Sequence, residues 1–382
     1  MIKTTEDEWK KLGSFCVRFF HDGKEEFVIV DDFFPAKMEN NRYSWAFCKG
    51  GDLGDELWPM VLEKAYAKLY GAYEYIEAGK VHYALADMIE GFPQQIDLKK
   101  DIKNTEVFWE KLKNLRRQGA LMGAGSPENP LGDAAINQAG IVQGHAYSLL
   151  DVQEVDEYKL IQLRNPHGRN GAEWRGDWSD SSANWNQRFK SKLKYEPRDH
   201  EDGVFWMDCD DFVEQYSYLY ICRLMNEQMG WYKRTFNGEW SGASAEGLPN
   251  KKNPSAKLQL NPHYGVTITK PCDGFILLKQ KEEDTSGGAG STFKGKQSIF
   301  FMLTKNSGKR IMKVDTDSIV VRSGNPINLM SVSNDFEFDN TVSYPYTFTL
   351  LVANTEHGPA GEGTFELTVY STDPKMTVGP MA

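Results

Sequence analysis

The sequence predicts an α+β region followed by an all-β sandwich. Three observations carry this. Helix-period apolar runs alternate with hairpin-like runs as far as about residue 228, mixing both element types in one stretch. The last third instead offers about eight short β-branched or aromatic segments, separated by Gly, Asn, Pro and Asp, in roughly 150 residues. Hydrophobic residues at 40% and charged residues at 26% are ordinary for folded domains, and 382 residues suffice for two or three of them.

Taken in order, residues 15–20 and 27–30 are apolar runs flanking Asp22-Gly23, a hairpin signal. A helix is predicted over 57–76, where Trp58, Val61, Leu62, Ala65, Tyr66, Leu69, Tyr73 and Ile76 share one face; Pro59 fits only its first turn. A boundary is placed near Gly91-Phe92-Pro93. A second amphipathic helix follows over 104–117, then a Gly-rich loop at 122–125. Next come a strand pair, 140–152 and 158–165, a loop rich in Trp and Asp over 167–188, and a third helix over 210–224. The sandwich strands centre on Leu258, Val266, Ile276, Ile299, Ile311, Val320, Phe348 and Phe365, with one long loop over 286–295.

A net charge of -10 repels phosphate backbones and anionic lipid, so no nucleic-acid partner is expected. The basic stretches Lys99-Lys100 and 188–194 are read as solvated faces. The N-terminal residues have no apolar core of a signal peptide, and no apolar run approaches the ~18 residues of a membrane span. Cys16, Cys48, Cys209, Cys222 and Cys272 form no Cys-x-x-Cys pair, which implies reduced thiols in the cytoplasm. Gly290 to Lys296 satisfies Gly-x-x-x-x-Gly-Lys, but Gln297 follows and a strand comes next, so a phosphate loop is rejected.

The strand pair is the most informative stretch. With the turn centred on Val155, partner numbers total 310 and His145 faces Asn165. Opposed Cβ atoms lie ~4.5–5.5 Å apart, close enough for the amide oxygen to accept the imidazole N–H. That is the base and orienter of a thiol-protease site, in which Asn fixes the ring and His takes the nucleophile's proton.

The surrounding residues, Gly144-His145-Ala146-Tyr147-Ser148, Leu163-Arg164-Asn165-Pro166-His167-Gly168 and Glu173-Trp174-Arg175-Gly176-Asp177-Trp178-Ser179-Asp180, closely resemble the signature of the calpain family. Val30-Asp31-Asp32, Leu62-Glu63-Lys64-Ala65-Tyr66-Ala67-Lys68, Asp202-Gly203-Val204-Phe205-Trp206-Met207, Gly238-Glu239-Trp240 and Gly363-Thr364-Phe365-Glu366-Leu367 extend the likeness over the chain. The resemblance implies a partial papain-like protease core followed by the family's β-sandwich. It divides the chain into a remnant of the first protease subdomain (1–92), the second subdomain with His and Asn (93–228) and the sandwich (229–382).

Three departures shape the functional expectation. The family's Gln-x-x-x-Gly-Asp-Cys-Trp segment does not occur here, and no Cys is followed by Trp. Losing the nucleophile costs about a millionfold in well-studied serine cases, so these residues are expected not to cleave peptides. Second, His167 stands where the family has a Trp shielding the His–Asn bond; a polar ring would admit water there, and the substitution is read as solvent-facing. Third, the resemblance assigns Glu173, Asp180 and Asp202 to a calcium site, but its next acidic ligand falls at Val204, so weakened Ca²⁺ binding is expected. The expected role is a calpain-like pseudoprotease scaffold, cytoplasmic and cytoskeleton-associated. Its partners would be proteins: a cytoskeletal or flagellar assembly, or a second calpain-like chain. The alternatives are a calcium-dependent cysteine endopeptidase whose cysteine half is missing or supplied by another chain, and a calcium- or lipid-binding sandwich module.

Overall fold

The computed structural model describes residues 1–21, 24–39, 41–48, 56–131, 135–167, 172–197, 202–281, 297–326 and 331–381. It divides into two compact units, Met1–Leu224 and Met225–Ala382.

The first unit opens with helix α1 (Glu6–Leu12), started by a reciprocal capping box between Thr5 and Glu8 and stopped by Gly13 at φ 61°. Strands β1 (Ser14–His21) and β2 (Lys24–Asp31) pair antiparallel from Ser14↔Asp31 to His21↔Lys24. The predicted turn residues Asp22 and Gly23 lie outside the described residues. A second small hairpin joins β3 (Ala36–Glu39) to β4 (Arg42–Trp45).

Helix α2 (Trp58–Tyr70) carries Pro59 in its first turn and buries Val61, Leu62 and Ala65 against Val17, Val28 and Val30. The expected helix to residue 76 is interrupted at Gly71, where φ of 108° leaves the helical region; a separate 3₁₀ turn covers Tyr73–Ile76. Helix α3 (Val81–Ile89) packs on β1 and on the large sheet described next.

That sheet has six antiparallel strands in the order β5-β10-β6-β7-β8-β9. They are β5 (Phe92–Asp97), β6 (Leu121–Gly125), β7 (Ala146–Val155), β8 (Tyr158–Arg164), β9 (Val204–Asp208) and β10 (Tyr218–Arg223). Pro93 is tolerated because β5 is an edge strand. Gly91 is required where the chain enters β5, since a Cβ there would stand 2.1 Å from Cys222 Sγ.

One face of the sheet is covered by α4 (Thr105–Arg117) and α6 (Cys209–Gln215); α5 (Gln187–Leu193) lies between β8 and β9 in sequence. Asn104 caps α4 by accepting from the N–H groups of Glu106 and Val107. Phe108, Trp109, Leu112 and Leu115 of α4 are buried, each worth ~1.5–3 kcal/mol relative to exposure.

The sequence predicted a helix over 210–224, and this is corrected. Helix α6 ends at Gln215, and the rest is the second strand of the sheet, β10. Leu219 and Ile221 enter the core under α4, while Tyr220 stacks on His82 of α3 on the other face. Being buried on both faces removes the alternation that signals a strand.

The second unit is a sandwich of two antiparallel sheets. One has the order β11-β18-β13-β16, with β11 (Tyr232–Trp240), β13 (Cys272–Gln280), β16 (Ser331–Phe338) and β18 (Gly363–Ser371). The other has the order β15-β14-β17-β12-β19, with β12 (His263–Ile268), β14 (Ile299–Thr304), β15 (Ile319–Arg322), β17 (Tyr346–Asn354) and β19 (Thr377–Pro380). Ile276, Leu278, Leu367 and Val369 of the first sheet share a core with Val266, Phe301, Phe348 and Leu350 of the second. The loop predicted over 286–295 and the rejected phosphate-loop motif at 290–296 lie outside the described residues.

Candidate functional site

The strand pair β7–β8 turns at Asp156-Glu157 with Asp156 at φ 57°, so the partner total is 313 from Val155↔Tyr158 to Asp151↔Gln162. A bulge between Leu149 and Asp151 reduces it to 312 at Leu149↔Leu163 and Ser148↔Arg164. The assumed register of 310 is therefore corrected. His145 and Asn165 are not opposed in the ladder; they lie just beyond its last pair, and the observed register carries His145 level with position 167.

Their side chains nevertheless meet. Asn165 Oδ1 accepts from His145 Nε2 at 3.0 Å. The amide orientation follows from its other contacts, because Nδ2 donates to Ala172 O at 3.1 Å and Oδ1 also accepts from the His167 N–H at 3.0 Å. Asn165 is fully buried, and its own N–H donates to Gly203 O at 2.8 Å. With Nε2 the donor, Nδ1 is the basic nitrogen of the neutral imidazole.

His145 is held through its main chain as well. Its N–H donates to Ser126 Oγ at 2.9 Å, and its carbonyl accepts from Ser126 N at 3.0 Å. Ser126 directly follows β6, whose Gly125 pairs with Ala146. Tyr147 meets the His145 ring edge-on, with centroids 5.2 Å apart, and accepts the Val142 N–H on its hydroxyl. The expectation that His167 is solvent-facing holds for its exposure, but the ring also stacks on His145 at 4.4 Å with planes 17° apart. Ser126, Tyr147 and Ala172 were missed from sequence, since their contacts depend on the register and on the path of the loop after Asn165.

No thiol lies on the strand ends that carry this pair. Cys222 is four residues along β10 from Tyr218, the partner of Gly125, or ~13 Å at strand rise. Cys209 lies six residues past Gly203, beyond the far end of β9. Although Cys209 opens α6, burial pushes its thiol up to about 12, as it does for Cys222. Cys16 lies in β1, Cys48 follows β4, and Cys272 lies in β13 of the other unit.

The three carboxylates assigned to calcium accept from protein donors. Glu173 Oε1 accepts from Gly203 N at 2.7 Å, Asp180 Oδ1 from Tyr195 Oη at 2.6 Å, and Asp202 Oδ1 from Val204 N at 2.9 Å. Tyr195 also donates to the carbonyl of Val204, and burial together with these nearby acids pushes its hydroxyl far above the usual phenol range. Among the described residues no group of three His, Cys, Asp or Glu side chains is arranged to hold a metal. The basic stretches are likewise engaged within the chain: Lys99 Nζ reaches Val213 O and Glu214 O, Lys100 pairs with Asp97, Arg188 with Asp156 and Lys190 with Glu196. No helix among the described residues is long and apolar enough to cross a membrane.

A sequence profile of calpain family cysteine proteases matches residues 1–223. The chain belongs to the calpain family. It is 35% identical over 382 residues to "Calpain-type cysteine protease ADL1" of Oryza sativa subsp. japonica, an alignment covering 96% of this chain and 17% of that protein. It is 35% identical over 384 residues to "Calpain-type cysteine protease DEK1" of Zea mays, covering 95% of this chain and 17% of the relative. To human "Calpain-8" it is 34% identical over 290 residues, covering 70% of this chain and 40% of that protein. The chain thus spans less than a fifth of the length of the plant calpains it matches.

Proposed function

We propose that these 382 residues act as a catalytically silent calpain-like binding unit, a scaffold or regulatory partner rather than a peptidase in their own right. The observation that carries this reading is a base and orienter, His145 and Asn165, assembled on strand ends that bear no thiol. A neutral imidazole held by an amide can take a proton, but it has no nucleophile here to take it from. The partners are proteins, either a cytoskeletal or flagellar assembly or a second calpain-like chain, and the setting is cytoplasmic. The three-part division at residues 92 and 228 belongs to the same reading. Calcium has at most a weak role, because Glu173, Asp180 and Asp202 are committed to protein donors.

The second reading is a calcium-dependent cysteine endopeptidase completed by a cysteine-bearing segment outside these residues. The intact His145–Asn165 bond favours it, since a base held by an amide is the pair such an enzyme uses. One experiment separates the two: the intact mass of the protein from its native source, with labelling by a covalent thiol-protease probe in the presence and absence of calcium. A mass matching these 382 residues without labelling supports the silent unit. A heavier species, or a labelled companion chain, supports the endopeptidase. Co-sedimentation with microtubules tests the cytoskeletal partner, and a freely soluble monomer in lysate counts against it.

A further inference from the structure

We infer that His263 is an acid-sensitive latch, holding the loop after β14 and the last strand, β19, against the outer face of the second sandwich sheet. Tyr264, Val266 and Ile268 of β12 enter the sandwich core, so His263 points the other way. It is buried there nonetheless, at 2% exposure. On the same outer side Phe300, Met302, Leu351 and Ala353 form an apolar cluster with Leu258 and with Ile311 of the loop after β14.

The hydrogen bonds fix one state of the ring. Nδ1 donates to the Asn261 carbonyl at 2.8 Å, which leaves Nε2 to accept the Ile311 N–H at 3.2 Å. The His263 carbonyl accepts the Met381 N–H at 2.9 Å, just past β19. The charged group facing the ring is Arg310, whose Nη1 lies 3.4 Å from Nδ1 and donates to Gln259 O at 2.6 Å, while Nη2 donates to Met381 O at 3.0 Å. Strand β17 presents Leu351 opposite His263, and no acidic side chain among the described residues bonds to the ring.

A proton added at Nε2 sets a donor against the Ile311 N–H and places a second cation beside Arg310 in a buried site. Both effects favour release of the loop, which lifts Ile311 off the apolar cluster. Burial and the Arg310 charge outweigh the Asn261 carbonyl and lower the imidazole's pKa from its ordinary 6.5. The closed latch therefore resists a proton that the open one accepts. Closure is full above 6.5 and weakens as the pH falls below it.

The test is hydrogen exchange of the Ile311 N–H in the full chain, read by NMR as protection relative to the free-peptide rate. The pH is lowered until the His263 ring is protonated, with its nitrogens followed in the same samples. Ile311 should lose protection about three- to tenfold in step with the ring, the factor that one lost hydrogen bond gives to a local opening. Leu278, in β13 of the other sheet, should keep its protection, which separates release of the loop from unfolding of the sandwich. In His263→Gln, whose amide can serve both partners without titrating, the acid-dependent loss at Ile311 should vanish. Unchanged Ile311 protection once the ring has taken its proton would overturn the inference, and that readout needs no variant. An equal loss in His263→Gln would overturn it too, as would a ring that takes its proton only when Leu278 also loses protection.

Discussion

The sheet that carries His145 and the hairpin that opens the chain are both antiparallel, yet their faces are treated differently. Strand β10 of the large sheet is covered on both sides, by the core under α4 and by α3. Among the described residues the opening hairpin is covered on one face: Val17, Val28 and Val30 meet α2, while Phe27 and Ile29 stand 58% and 60% exposed on the other face. Phe33, Tyr43 and Trp45 are exposed as well. The site half is a closed structure that can hold an imidazole in place; the opening hairpin leaves large apolar side chains in solvent.

Substitutions can break this comparison, and the largest effect is expected in the closed half. Trp109→Ala removes a fully buried ring and the donor to Glu154 Oε2, and should cost ~3–5 kcal/mol. Phe27→Ala on the open face should fall within about 0.5 kcal/mol of the unaltered chain. Equilibrium denaturation of the two variants gives both numbers, and equal costs would dissolve the contrast.

Next in size is Asn165→Ala. It leaves the Ala172 carbonyl and the His167 N–H without their partner, and ~1–3 kcal/mol of destabilisation should follow, seen as a lower denaturation midpoint.

The third prediction concerns acid. His82 of α3 is buried with Nδ1 unpartnered among the described residues, and burial holds its imidazole down to about 4 from the usual 6.5. The folded chain therefore resists a proton that the unfolded chain accepts. This contribution is full above 6.5 and is lost as the pH falls from 6.5 towards 4. The melting temperature should drop across that window, and less steeply in His82→Phe, which keeps the ring stack on Tyr220 without a titrating group. Parallel slopes would assign the acid sensitivity elsewhere.

The smallest effect on stability sharpens the comparison most. Phe27→Ser combined with Ile29→Thr should leave unfolding almost unchanged while lowering the binding of a hydrophobic dye. Undiminished dye binding would show that the exposed apolar surface lies elsewhere.

Much of this contrast was legible in the sequence. The helix over 104–117 appeared as an amphipathic segment, the β-rich last third with its punctuating turns, and the pairing of His145 with Asn165 as a chemical idea. Strand 218–223 was read as helix because a strand buried on both faces shows no alternation. The hairpin register was misjudged because its two-residue turn uses Asp156 at positive φ and a bulge at Leu150 absorbs one residue. The stack of His167 on His145 depends on that register, so no local pattern could announce it.

The most direct measurement is to treat the purified 382-residue chain with an electrophilic peptide probe for cysteine proteases and map any labelled site by mass spectrometry, alongside His145→Ala. With Cys209 and Cys222 buried and pushed up to about 12, and no thiol on the strand ends that carry the pair, no cysteine should acquire label that depends on His145. Labelling of any of the five cysteines that disappears in His145→Ala would contradict the account, because it would place a working nucleophile beside the base.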